Sequence, residues 1–75
     1  MVNALVLVNI EPQSTETVFR EIKKMPGVTQ AMMVYGEYDA VFLVTEEHTT
    51  GIQDFVKAVR KFHGITRTVT LLELV

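Results

Sequence analysis

Gly36, Glu37, Tyr38 and Asp39 form the densest run of groups able to recognise a polar ligand in this chain of 75 residues. A glycine at position 36 can take a positive φ and lets backbone come close to a ligand. The Asp39 carboxylate can accept a charge-assisted bond from an ammonium group. Exposed backbone N–H groups in such a turn can hold a carboxylate. The same composition also makes an ordinary hairpin, in which the aspartate bonds its own backbone, and on composition alone that reading is favoured. Thr66, Thr68 and Thr70 alternate and so share one face of a strand, where hydroxyls could orient a polar ligand. They fit equally well the preference of threonine for a solvated strand face.

Little else in the sequence suggests chemistry. Cysteine is absent, which excludes disulfides and thiolate metal sites. His48 and His63 are far apart and have no carboxylate at metal-ligand spacing. His63 suits the negative end of a helix, and His48 and the Glu46-Glu47 pair suit solvent. No Ser/His/Asp or Cys/His set and no phosphate loop is present, so we expect no catalytic residue, no metal and no cofactor.

Seven basic residues stand against nine acidic ones, for a net charge of −2, and the cations are scattered among acids. A nucleic-acid partner is not expected, because phosphate affinity comes from clustered positive charge. The apolar opening is short, is interrupted by Asn3 and Asn9 and lacks a cationic start, so it reads as a strand rather than a signal peptide. No stretch is long enough to span a membrane, and the cytoplasm is the expected location.

The elements that must position these residues follow from hydrophobic period. Ala4-Leu5-Val6-Leu7-Val8 is an unbroken branched apolar run, the mark of a strand apolar on both faces. After Glu11-Pro12, Ser14 or Thr15 can cap a helix with Glu16 in its first turn. Val18, Ile22 and Met25, with Phe19 alongside, give that helix one core-facing stripe, and Pro26-Gly27 ends it. Residues 28–35 read as a second strand, followed by the turn at 36–39. Ala40-Val41-Phe42-Leu43-Val44 is a third, again apolar on both faces. Thr49 or Thr50 can cap a second helix carrying Ile52, Phe55, Val56, Val59 and Phe62 on one side. Gly64 suits the residue after its C-cap, and residues 65–75 read as a last strand. Met25, Met32 and Met33 are expected in core or interface.

The order β-α-β-β-α-β implies an α+β, ferredoxin-like fold: a four-stranded antiparallel sheet of order 4-1-3-2 with two helices on one face. The two doubly apolar strands then fall in the middle. Both helices cover the same side, so the other is left bare, with Leu5 and Leu7 or Val6 and Val8 facing it. From the third strand either Val41 and Leu43 or Ala40, Phe42 and Val44 must face it, and Met33 and Leu72 are further candidates. With 48% hydrophobic residues and a mean hydropathy of +0.24, such a patch calls for a partner. A face-to-face homodimer, a dimeric α+β barrel, is the expected solution.

At full length the chain resembles the effector-binding, or RAM, domain of the Lrp/AsnC regulators. Pro26-Gly27-Val28, Gly36-Glu37-Tyr38-Asp39 and Gly64-Ile65-Thr66-Arg67-Thr68-Val69-Thr70 carry the resemblance. Residues 1–75 would then be a single RAM-type ligand-binding domain in a stand-alone form, without the family's helix-turn-helix. The resemblance implies dimers built sheet to sheet, joined into larger rings (often octamers), with a small amino acid effector bound between dimers. It makes Gly36, Glu37, Tyr38 and Asp39 ligand-binding candidates and adds Thr68 and Thr70 from the last strand. It also implies a role in transcription regulation through contacts with full-length Lrp/AsnC regulators; direct DNA binding is not carried over. An enzyme on a dimeric α+β barrel and an ACT-like amino-acid-binding domain are the alternatives. The first lacks a histidine–carboxylate pairing, and the second lacks this hairpin and last-strand motif.

Overall fold

A computed structural model describes residues 1–74. Strand β1 is Val2–Ile10, followed by a single 3-10 turn at Pro12–Ser14 and helix α1, Thr15–Lys23. Strands β2, Val28–Met33, and β3, Ala40–Glu46, form a hairpin. Helix α2 is Thr49–Arg60 and strand β4 is Ile65–Leu72. The sheet order is β2-β3-β1-β4 with every neighbour antiparallel, the arrangement expected from the sequence.

Burial in the two central strands is strictly one-sided. Ala4, Val6, Val8 and Ile10 of β1 and Ala40, Phe42 and Val44 of β3 are buried, and they pack with Val18 and Ile22 of α1 and Ile52, Phe55 and Val59 of α2. Phe42 is fully buried, and its ring meets Phe19 at 5.6 Å. Leu5 and Leu7, with Val41 and Leu43, take the bare face, which resolves the alternatives left by the sequence. The register aligns Leu5 with Leu43 and Leu71, and Leu7 with Val41 and Val69.

Met33 and Leu72 do not belong to that face. Met33 lies opposite Ala40 and Leu72 opposite Ala4, so both sit on the helix side. Met32, opposite Val41, and Leu71 take their places. In β2 the register shifts between Val28 and Gln30, leaving Thr29 as the extra residue, so the alternation beyond it is displaced relative to Val28. A second shift, at Asn9/Ile10, sets Ile65 rather than Thr66 opposite Ile10.

The helix ends also differ from expectation. Ser14 occupies the cap position of α1 but makes no side-chain cap bond, because the preceding 3-10 turn already holds it at φ −104 and ψ −4. Its neighbour Thr15 donates its hydroxyl to the Glu11 carbonyl instead. The cap of α2 is His48, and Thr49 is the first helical residue. Gly64 is not the residue directly after the cap at Lys61. It is the third residue of a β-turn closed by Ile65 N–H on the Phe62 carbonyl, and its φ of 102 is what a type II turn needs there. Residues 25–28 repeat the device, with Pro26 second and Gly27 third at φ 93. β2 ends at Met33 rather than at residue 35, and β4 ends at Leu72, so Glu73 and Leu74 fall beyond the strand expected over 65–75; Val75 lies outside the described residues.

Phe42 joins both helices to the middle of the sheet. Phe42→Ala is expected to cost about 3–5 kcal/mol, read as a lower urea midpoint at unchanged slope.

Candidate ligand-binding site

The β2–β3 hairpin closes where Val34 N–H donates to the Asp39 carbonyl at 3.0 Å. Tyr35, Gly36 and Glu37 are exposed. Gly36 has φ 132 with open space where a side chain would stand, so only backbone conformation keeps the position a glycine.

The turn folds back onto the end of β1. Asp39 N–H donates to the Val8 carbonyl at 2.9 Å, and Asn9 Nδ2 donates to the Glu37 carbonyl at 2.8 Å. Ile10 N–H donates to Asp39 Oδ2 at 2.8 Å. The ladder between β1 and β3 ends at Val8 and Ala40, so Ile10 has no strand partner on that side, and the carboxylate supplies one. The Asp39 side chain therefore bonds another strand rather than its own turn. Tyr38 faces β4, where the Arg67 guanidinium lies 5.6 Å from its ring centroid, within cation–π range. Arg67 stands opposite Asn9. Glu37, Tyr38, Asp39, Asn9 and Arg67 thus make one corner of the molecule.

Thr68 and Thr70 are elsewhere. They lie opposite Val8 and Val6, whose side chains are fully buried on the helix side. Arg60 Nε of α2 donates to Thr68 Oγ1 at 3.1 Å. Thr70 borders a groove of about 520 Å³ between α2 and β4, which Lys57 and Arg60 also line. Thr68 borders a second concavity of about 340 Å³, lined by Arg60, Ile65, Thr66, Arg67 and Thr68. A third, of about 270 Å³, lies at the far end of the bare face against Leu5, Leu43 and Leu71. None of the three is lined by residues 36–39.

The six residues singled out from the sequence therefore form two groups. Gly36, Glu37, Tyr38 and Asp39 gather at the hairpin corner, while Thr68 and Thr70 sit beside α2. Two arginines that look like scattered charge in the sequence each meet one group: Arg67 lies over Tyr38, and Arg60 holds Thr68. The alternation of Arg67 with Thr66 and Thr68 was the one available signal. His48 and His63 are both exposed, at opposite ends of α2. Among the described residues no three His, Cys, Asp or Glu gather as a metal site, and no helix is long and apolar enough to cross a membrane.

The β-α-β-β-α-β sheet matches the family model of a small effector-binding regulatory domain. The chain belongs to the Lrp/AsnC family: the model of the Lrp/AsnC ligand binding domain matches residues 3–74. Among curated proteins no relative matches. Among solved structures, a Thermus thermophilus protein is 29% identical with a TM-score of 0.94, over 99% of this chain and 94% of that one. A hypothetical protein of Pyrococcus horikoshii is 29% identical with a TM-score of 0.90, over 100% and 92%. A Neisseria meningitidis transcriptional regulator, solved as a complex with L-Met, shares the fold at 20% identity and a TM-score of 0.85. The match covers 97% of this chain and 49% of that regulator.

Ile10 is 5% exposed, so its N–H depends on the aspartate. Asp39→Ala is expected to destabilise the fold by about 1–3 kcal/mol. Asp39→Asn keeps an acceptor oxygen and is expected to cost less. Equal urea midpoints for Asp39→Ala and the parent would remove this role.

Proposed function

We propose that residues 1–75 act as one amino-acid-sensing, self-associating domain. Two copies pair through their bare sheet faces as a dimeric α+β barrel. Dimers join into a larger ring, of which an octamer is the family's common size. A small amino acid binds between dimers, at Gly36, Glu37, Tyr38 and Asp39 of one copy with Thr68 and Thr70 completing the enclosure.

The composition of the bare face carries this reading. Its middle is apolar: Leu5, Leu7, Val41, Leu43, Val69 and Leu71 run across three strands, with Leu5 40% and Leu71 52% exposed. Its ends are polar. Thr45 donates to Asn3 Oδ1 at 2.7 Å and Asn3 Nδ2 donates to Glu73 Oε1 at 2.7 Å at one end, while Asn9 and Arg67 close the other. An apolar centre with a polar rim is the anatomy of a protein interface, and a contiguous patch of this kind rarely stays in water. A second copy offers a self-complementary surface at no extra requirement on sequence.

The hairpin corner supports the effector part. Residues 36–39 are held against β1 while Tyr35, Gly36 and Glu37 stand exposed, so enclosure of a ligand there calls for a neighbouring subunit. A ligand that touches two dimers can shift assembly by its different affinity for the joined and separate states. The L-Met complex of the Neisseria regulator agrees with a small amino acid as the effector class. Contact with full-length Lrp/AsnC regulators through the same surfaces would pass the signal on, in the cytoplasm and without a cofactor.

Leu43→Asp is expected to convert the assembly to monomers in light scattering at micromolar concentration, because the introduced charge would be buried against the second sheet. A parent chain that is itself monomeric would overturn the pairing. In a thermal-shift screen of the amino acids, a true effector at about 100 times its Kd should add roughly 2.7 kcal/mol of stability. No response in midpoint or particle size to any amino acid would overturn the sensing role.

A further inference from the structure

We propose that the tip of the β2–β3 hairpin of one copy seats in the groove between α2 and β4 of a copy in the next dimer, and that this contact builds the ring. The inference rests on the self-associating reading above and names the contact that joins its dimers.

Apolar surface outside the bare face points to it. Met32, Met33, Val34 and Tyr35 are consecutive, and all four side chains stand exposed. Met32 lies on the bare face, opposite Val41. Met33 is 49% exposed on the helix side, and Tyr35 stands wholly exposed past the end of β2, so neither belongs to that face. Across the sheet, Leu72 of β4 is 47% exposed on the helix side, because α2 leaves a groove of about 520 Å³ beside it. Ile52 and Val56 give that groove the rest of its apolar lining.

The tip and the groove complement each other. β2 and β4 are the two edge strands, so one edge carries a projecting apolar tip and the other an apolar hollow. Tyrosine is a common anchor in protein interfaces, where its ring buries about 150–250 Å² while its hydroxyl keeps a polar partner. Charge fits as well. Glu37, two residues past Tyr35, is exposed, whereas Lys57 and Arg60 line the groove and no acidic residue does. Among the described residues the one ion pair joins Lys24 to Glu21, so these three charges reach an assembly without an ionic partner. Opposite charge across a contact of this kind fixes its orientation.

The occupant is a second copy, because the tip and groove of one chain lie at opposite edges of its sheet. Each copy gives a tip and receives one. Such a head-to-tail contact closes into a ring when the rotation per step allows. Pairing of the bare faces is two-fold and stops at two copies, so growth beyond a dimer needs a second surface. The seat also sets residues 36–39 of one copy near Thr70 of the next, which lines the groove.

Light scattering of the full chain at micromolar concentration, alone and with each amino acid, tests this. The parent should exceed two chains, and Tyr35→Ser should fall to two with its urea midpoint unchanged. Glu37→Lys and Lys57→Glu should each shrink the particle, and the double variant should restore it. A parent that never exceeds two chains, a Tyr35→Ser variant of parental size or one that falls to single chains, or a double variant that stays small overturns the contact. A ring that needs Tyr35 but ignores every amino acid keeps the contact and removes the sensing role. An amino-acid response in a chain whose size is indifferent to Tyr35 removes the contact and keeps sensing.

Discussion

The whole arrangement depends on two adjacent strands that are apolar on both sides while the chain carries only enough helix to cover one. Val6, Val8, Phe42 and Val44 are sealed under α1 and α2. Their sequence neighbours Leu5, Leu7, Val41 and Leu43 are equally apolar but face away from both helices. Strand geometry allows no compromise, because alternate side chains must point to opposite faces. A sequence that keeps both faces apolar therefore places a core on one side of these two strands and a bare apolar surface on the other. Core and bare-face positions stand one residue apart along each strand, so in the proposed dimer folding and assembly would be coupled.

The same sheet sets where a ligand can be recognised. β1 ends beyond the last β3 pair, and the free N–H of Ile10 is satisfied by Asp39 from the hairpin. That bond fixes the turn against the sheet. It also directs Tyr38 toward β4, where Arg67 stands at the rim of the apolar face. The polar corner is thus a by-product of how the central strand is terminated. In the proposed assembly a ligand at the corner would act at the edge of the surface through which copies meet, which would give binding and assembly a short mechanical path.

The architecture was legible because long-range order follows from period and element order. Two unbroken apolar runs, two stripes at helical spacing and their sequence leave one reasonable sheet. Local departures were not legible. The extra Thr29 in β2 puts Met32 rather than Met33 on the bare face, and the shift at Asn9/Ile10 does the same kind of work near Thr66. A bulge is decided by how two strands pair, and neither strand alone announces it. The threonine caps failed for a related reason: a 3-10 turn and an extended His48 met the needs of the helix starts by backbone means. At the site, the turn residues stood out through the family resemblance, since their composition alone is that of an ordinary hairpin. Arg60 and Arg67 did not, because they are ordinary surface residues until α2 is laid against β4 and the hairpin is laid against Arg67.

That last failure bears on how such a domain can change its ligand. The hairpin residues are constrained twice, by the φ of Gly36 and by the bond from Ile10 to Asp39. Substituting them endangers the fold as well as recognition. Arg60 and Arg67 are exposed, lie on separate elements and make one side-chain contact each. Exposed positions of this kind accept replacement at small cost in stability. In the proposed sensor the hairpin would supply the fixed part of the site, and exposed side chains around it would be the ones free to vary. Specificity would reside where the scaffold is least committed.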